Sequence, residues 1–106
     1  MKKLFISQPM RDKTKQEILK ERQTAIDVVQ NILGEDVEVI DTLFNFDDNP
    51  LYCLGNSIAK MSEADIVYFC ENWQHYRGCR VEHFCAVEYG LTILRYTSKG
   101  VVENGI

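Results

Sequence analysis

Lys3-Leu4-Phe5-Ile6-Ser7-Gln8-Pro9 is the stretch on which the fold turns. From Lys3 to Ser7 the chain is apolar without alternation, and it stops at Gln8-Pro9. A strand with no polar face is covered on both sides, which is the situation of an inner strand in a sheet flanked by helices. The segment is therefore expected to be a central strand, and the neighbouring sequence to supply the helices.

Downstream, Thr14-Lys15-Gln16-Glu17 has the form of a capping box ahead of a long periodic segment. Ile18, Leu19, Ala25, Ile26, Val29, Ile32 and Leu33 keep to the three-and-four spacing of one helical face, and Gly34 ends the helix. Val37 to Asp41, rich in β-branched residues, follows as a second strand and completes a βαβ unit. Thr42 to Pro50 is loop chemistry interrupted by Phe44 and Phe46. Leu51 to Met61 resumes a helical pattern, Ser62 to Asp65 turns the chain, and Ile66 to Cys70 is a third buried strand. A polar-aromatic loop, Glu71 to Arg77, leads into a helix from Gly78 to Gly90, then a fourth strand, Leu91 to Thr97. Ser98 to Ile106 contains two glycines and little that must be ordered. The expectation is one domain over residues 1–106, of α/β class, with a three-layer, doubly wound parallel sheet of the Rossmann-like or flavodoxin-like kind.

With 106 residues the chain sits near the lower end for an independent enzyme, so a homodimer or larger homo-oligomer is expected. A formal charge of −4, with no basic run beyond Lys2-Lys3, argues against a duplex nucleic-acid surface but leaves room for a small anion. No apolar run approaches the ~20 residues that span a bilayer, so no membrane partner and a cytoplasmic location are expected. Four cysteines, at positions 53, 70, 79 and 85, include no CxxC pair and are expected to be reduced core thiols. His75, Cys79 and His83 recur at four-residue intervals, the spacing of metal ligands on one helix face. Gly78 is expected to break that helix, so neither metal nor cofactor is assigned.

Open α/β sheets bind ligands above the carboxyl ends of their strands. Two loops should meet there, Ser7-Gln8-Pro9-Met10-Arg11 after the first strand and Glu71 to Gly78 after the third. The first offers a hydroxyl, an amide and a guanidinium suited to phosphate or sugar oxygens. Trp73 and Tyr76 of the second offer flat faces on which a base can stack. Each also has a plain structural role open to it, Ser7 and Gln8 as turn formers and Trp73 as a core lid. Glu82 shares a helical stripe with Cys79, Ala86 and Tyr89, which places a carboxylate inward. Burial would raise its pKa and the positive end of the helix would favour the anion, a combination suited either to chemistry or to stabilising a helix start.

Three segments, Leu4-Phe5-Ile6-Ser7-Gln8-Pro9-Met10, Ser62-Glu63-Ala64-Asp65-Ile66-Val67 and Gly78-Cys79-Arg80-Val81-Glu82-His83-Phe84-Cys85-Ala86, give the chain a resemblance to a known family. It resembles the nucleoside 2-deoxyribosyltransferase-like proteins, in particular their short bacterial and phage branch, over nearly its whole length. That family places its catalytic glutamate four residues after a glycine and four before an alanine, which is the position of Glu82. The resemblance implies attack by Glu82 on the anomeric carbon of a nucleoside or nucleotide, with release of the base and resolution of a glycosyl-enzyme by another base or by water. It implies that Ser7, Gln8, Pro9, Met10 and Arg11 hold the sugar or its phosphate; Ser57, Trp73, Tyr76 and Gly78 complete the expected substrate-binding set. Ser57 stands where the family usually carries a sugar-contacting aspartate, Tyr76 where characterised branches carry an acid or serine, and Gln8 where a glycine is common. A non-catalytic nucleotide-binding protein of the same fold, and a purely structural protein, are the competing expectations.

Overall fold

The computed structural model describes residues 1–43 and 49–103. Phe44 and Phe46 lie outside the described residues. The described residues form a mixed α/β structure with a five-stranded, mostly parallel sheet and three α-helices. Strand β1 (Lys2–Ser7) leads to α1 (Lys15–Leu33), β2 (Val37–Val39), α2 (Pro50–Met61) and β3 (Ile66–Phe69). A single 3-10 turn (Trp73–His75) precedes α3 (Arg77–Glu88), β4 (Thr92–Thr97) and β5 (Gly100–Glu103).

Local sequence sets the ends of α1 directly. The Thr14 side chain accepts from the Glu17 amide at 3.1 Å while Glu17 Oε1 accepts from the Thr14 amide at 3.0 Å. Two of the amides that a helix start leaves unpaired are thereby satisfied. At the other end Gly34 takes the left-handed conformation, φ 71°, and its amide donates to the Gln30 carbonyl. In α2, Asn49 caps the amides of Leu51 and Tyr52, and Pro50 stands at the first helical position, where its missing N–H costs nothing.

Strand order across the sheet is β2-β1-β3-β4-β5. The first four strands run parallel, with Leu4 opposite Val39 and Ile66, and Val67 opposite Ile93. Side chains of an inner strand alternate between faces, and two separate clusters follow from it. Leu4, Ile6, Ile66, Tyr68 and Leu94 pack with Ala25 and Val29 of α1. Phe5, Val67, Phe69 and Ile93 pack with Met61 of α2 and with Cys79 and Ala86 of α3.

The carboxyl-terminal expectation is corrected by β5. Gly100 to Glu103 pairs antiparallel with β4 through a tight hairpin, Thr97 opposite Gly100, so the sheet is not wholly parallel and residues 100–103 form a strand. The Thr97 hydroxyl donates to the Gly100 carbonyl at 2.6 Å and accepts from the Lys99 amide, and Gly100 takes φ 114°. Only glycine enters that conformation without strain. Among the described residues, no helix is long and apolar enough to cross a membrane.

Candidate active site

Above the carboxyl ends of β1, β2 and β3 lies a cleft of about 450 Å3. Its walls come from Gln8 to Arg11 after β1, Thr42 after β2, Pro50 to Ser57 of α2, and His75 to Glu82 at the start of α3. The two loops named from the sequence do meet here. Gln8, Pro9, Met10, Arg11, Ser57, Tyr76, Gly78 and Glu82 all line the cleft.

Glu82 is placed by the helical register of α3, whose buried residues are Cys79, Glu82 and Ala86. Only 8% of Glu82 is exposed. The Ser7 hydroxyl, at the end of β1, donates to Glu82 Oε1 at 2.6 Å. Burial pushes the carboxyl up to about 7, against the Ser7 hydrogen bond, which pulls it down, with the Ser57 hydroxyl on the same wall acting in the same direction. The group is thus divided between acid and anion near neutral pH, which suits a nucleophile or a proton donor.

The helix itself differs from expectation in two ways. It begins at Arg77 with Tyr76 as its cap, so Glu82 lies in the second turn, beyond the strongest influence of the helix amino end. Desolvation, opposed chiefly by the Ser7 hydroxyl, sets its charge. Tyr89, expected on the inward stripe, is the residue after the last helical position and is 83% exposed.

Trp73 is not on the cleft. Its ring stacks on His83, centroids 4.3 Å apart, and tilts against Phe69 at 5.2 Å, inside the hydrophobic cluster. The aromatic face the cleft does offer is Tyr76, with the Arg11 guanidinium 5.6 Å above its ring. Gln8 also departs from expectation, because its Nε2 donates to the Ile18 carbonyl at 2.7 Å and to Glu21 at 3.1 Å. That amide ties the loop to α1, while its buried Oε1 has no partner. Met10 and Pro9 contribute apolar wall.

Several groups on the cleft were not singled out from the sequence. Arg77 and Arg80 join Arg11, so three guanidiniums line the cleft against one carboxylate, Glu82, among the described residues. In a chain of net charge −4 this is a local reversal of sign. Cys79 also lies at the site, but burial raises its thiol to about 12, so it stays protonated and is a poor nucleophile. The Cys70 thiol is raised further by burial. His75, Cys79 and His83 do not converge: His75 precedes α3, and His83 Nε2 accepts from Arg95 Nε at 2.7 Å. Among the described residues no cluster of three His, Cys, Asp or Glu side chains is placed to hold a metal ion.

Compared with known proteins, the chain matches no family model, no curated protein and no solved structure.

Proposed function

We propose that this chain is a nucleoside 2-deoxyribosyltransferase-like protein that cleaves the N-glycosidic bond of a nucleoside or nucleotide, with Glu82 as nucleophile. The observation that carries the reading is the buried Glu82 carboxyl, held by Ser7 in a cleft lined by arginines. In the proposed step a Glu82 oxygen forms a bond to the anomeric carbon as the carbon–nitrogen bond breaks. Its electron pair leaves with the base, which takes a proton from solvent. Water or a second base then displaces Glu82, restoring the carboxylate. Ser7 orients the attacking group, and Arg11, Arg77 and Arg80 supply charge for a phosphate or for sugar oxygens.

The fold supports this reading. Strand order β2-β1-β3-β4, with α1 in one cluster and α2 and α3 in the other, is what a three-layer, doubly wound sheet of flavodoxin-like type requires. Its topological switch point lies between β1 and β3, beside Ser7. A homodimer fits the exposed apolar side chains Leu51, Tyr52 and Phe84 on α2 and α3, and light scattering on the purified chain would report it.

A second reading, a nucleotide-binding protein that does not turn its ligand over, is favoured by one observation. Retaining glycosyl transfer uses a second acid to protonate the leaving group, and the described cleft holds no carboxylate besides Glu82. Incubation with deoxynucleosides and their monophosphates, followed by chromatography for free base, separates the two. Released base supports the enzyme; retained, unchanged nucleotide supports the binding protein.

A further inference from the structure

Arg22 is the only buried cation among the described residues, 7% exposed on α1. Its Nη2 donates to the Ile40 carbonyl at 2.9 Å and to Thr42 Oγ1 at 3.2 Å, and its buried Nη1 has no partner. No carboxylate of the described residues lies within ion-pair distance of it, since the described pairs are Lys3 with Glu63 and Lys13 with Glu21. Asp41 acts on it only at longer range, its own Oδ1 accepting from the Leu43 amide. A buried charge without a counter-charge is costly, and neighbouring negative atoms relieve it.

Thr42 connects this charge to the cleft. The residue is 5% exposed and forms part of the wall. A hydroxyl carries one proton and two lone pairs. With a lone pair engaged by the guanidinium, Thr42 has a proton to give, polarised by the cation behind it, and no described residue accepts it. Thr42 follows β2, Ser7 and Glu82 meet at β1, and Tyr76 and Arg77 follow β3. In the sheet β2 and β3 flank β1, so Thr42 and the pair Arg77 and Arg80 belong to segments on opposite sides of the one that carries Ser7 and Arg11.

Resting on the nucleotide reading above, we propose that Thr42 is a specificity-determining residue, a donor that selects bases presenting a ring carbonyl over bases presenting an amine, and that Arg22 is its positioning residue. The phosphate then lies on Arg11, Arg77 and Arg80, the anomeric carbon at Glu82, and the base at the β2 end. A carbonyl oxygen accepts the Thr42 proton and brings negative partial charge toward Arg22. An exocyclic amine can use only the remaining Thr42 lone pair, and it brings positive partial charge toward a buried cation that has no counter-charge.

Calorimetric titration of wild-type and Glu82→Gln protein with deoxyinosine, deoxyadenosine, deoxyuridine and deoxycytidine monophosphates tests this. Within each base size the two ligands exchange a carbonyl for an amine. The carbonyl member is expected to bind about tenfold more tightly, the difference between accepting the polarised Thr42 proton and bringing an amine toward the Arg22 charge. Thr42→Val, nearly isosteric, should bring the ratio near one, Thr42→Ser should restore it, and Arg22→Met should lower it. A ratio near one in wild type for both base sizes, or a ratio unmoved by Thr42→Val, overturns the proposal and leaves the nucleotide reading standing. Should Thr42→Val not fold, the wild-type ratio and Thr42→Ser decide. Failure of all four ligands to bind overturns the proposed function and this selectivity with it.

Discussion

Ser7 and Glu82 stand 75 positions apart in the chain and are joined by a 2.6 Å hydrogen bond where the end of β1 meets the second turn of α3. The donor comes from a strand buried in the sheet and the acceptor from a helix packed on it, so neither can move without disturbing the core. A carboxyl fixed in this way meets a ligand in one orientation.

If Glu82 is the nucleophile, Glu82→Gln should reduce turnover by on the order of 10³ or more while leaving nucleotide binding in place. Glu88, exposed near the end of α3, is the internal control, and Glu88→Gln should leave turnover close to wild type. Release of free base measured for both variants decides. Equal losses would mean that the wrong carboxylate has been assigned.

The same substitution should have the opposite effect on stability. Glu82 titrates at about 7 in the folded chain, against 4.5 for an ordinary glutamate. Its raised folded pKa favours the folded state below pH ~4.5, and that contribution is lost as pH rises through about 7. Glu82→Gln removes the dependence, so the variant should match wild type at pH 4 and exceed it at pH 8 by about 3 kcal/mol, at about 1.4 kcal/mol per unit. Urea unfolding at the two pH values measures it, and a variant less stable than wild type at pH 8 would contradict the desolvated site.

Ser7→Ala removes a donor that favours the Glu82 anion, so the carboxyl should titrate higher still. Activity that depends on the anion should then fall most on the acid side, about tenfold at pH 6 and less at pH 9. A uniform loss across the profile would assign Ser7 to ligand contact instead.

His83 is held neutral by burial and by the neighbouring Arg95 guanidinium, both of which lower its pKa. Its stabilising contribution is complete above the ordinary imidazole value and is lost as pH falls through the lower folded value. Trp73, the one tryptophan of the chain, stacks on it. Tryptophan fluorescence should be quenched on acidification with a midpoint below 6.5, and His83→Asn should abolish the transition. A midpoint above 6.5 would contradict the Arg95 contact.

Much of this arrangement was legible in the sequence because local rules and tertiary packing agree. The capping box at Thr14, the stop at Gly34 and the uninterrupted apolar run of β1 each state one conformation. Glu82 was legible because a single carboxylate on a stripe with Cys79 and Ala86 must face the sheet. Arg22 was not, although Ile18, Arg22, Ala25 and Val29 keep helical spacing, because a charge on an apolar stripe is assumed to point outward. Its burial depends on Thr42 and Ile40, contributed from beyond the helix. Gly78 suggested a helix boundary, yet it sits inside the first turn, where an added Cβ would meet only Leu54 at 4.0 Å. Trp73 followed the composition of its loop, whereas the space beside Phe69 and His83 decided where its ring lies. Strand β5 opens on Gly100 and has only Val101 and Val102 as apolar residues before Glu103, so its sequence reads as turn rather than strand.

That last hairpin bears on how copies of the chain can meet. With β5 laid along β4, the sheet ends in strands of three and four residues, β2 and β5. Short edges give an incoming strand few backbone groups to pair with, so continuous growth of the sheet from molecule to molecule is disfavoured. If copies associate, the exposed Leu51, Tyr52 and Phe84 on α2 and α3 are the apolar side chains available, and an isologous contact there would close as a pair. A pair of molecules meeting through α2 and α3 would bring the flanks of two clefts together, and the occupancy of one could then be felt by the other.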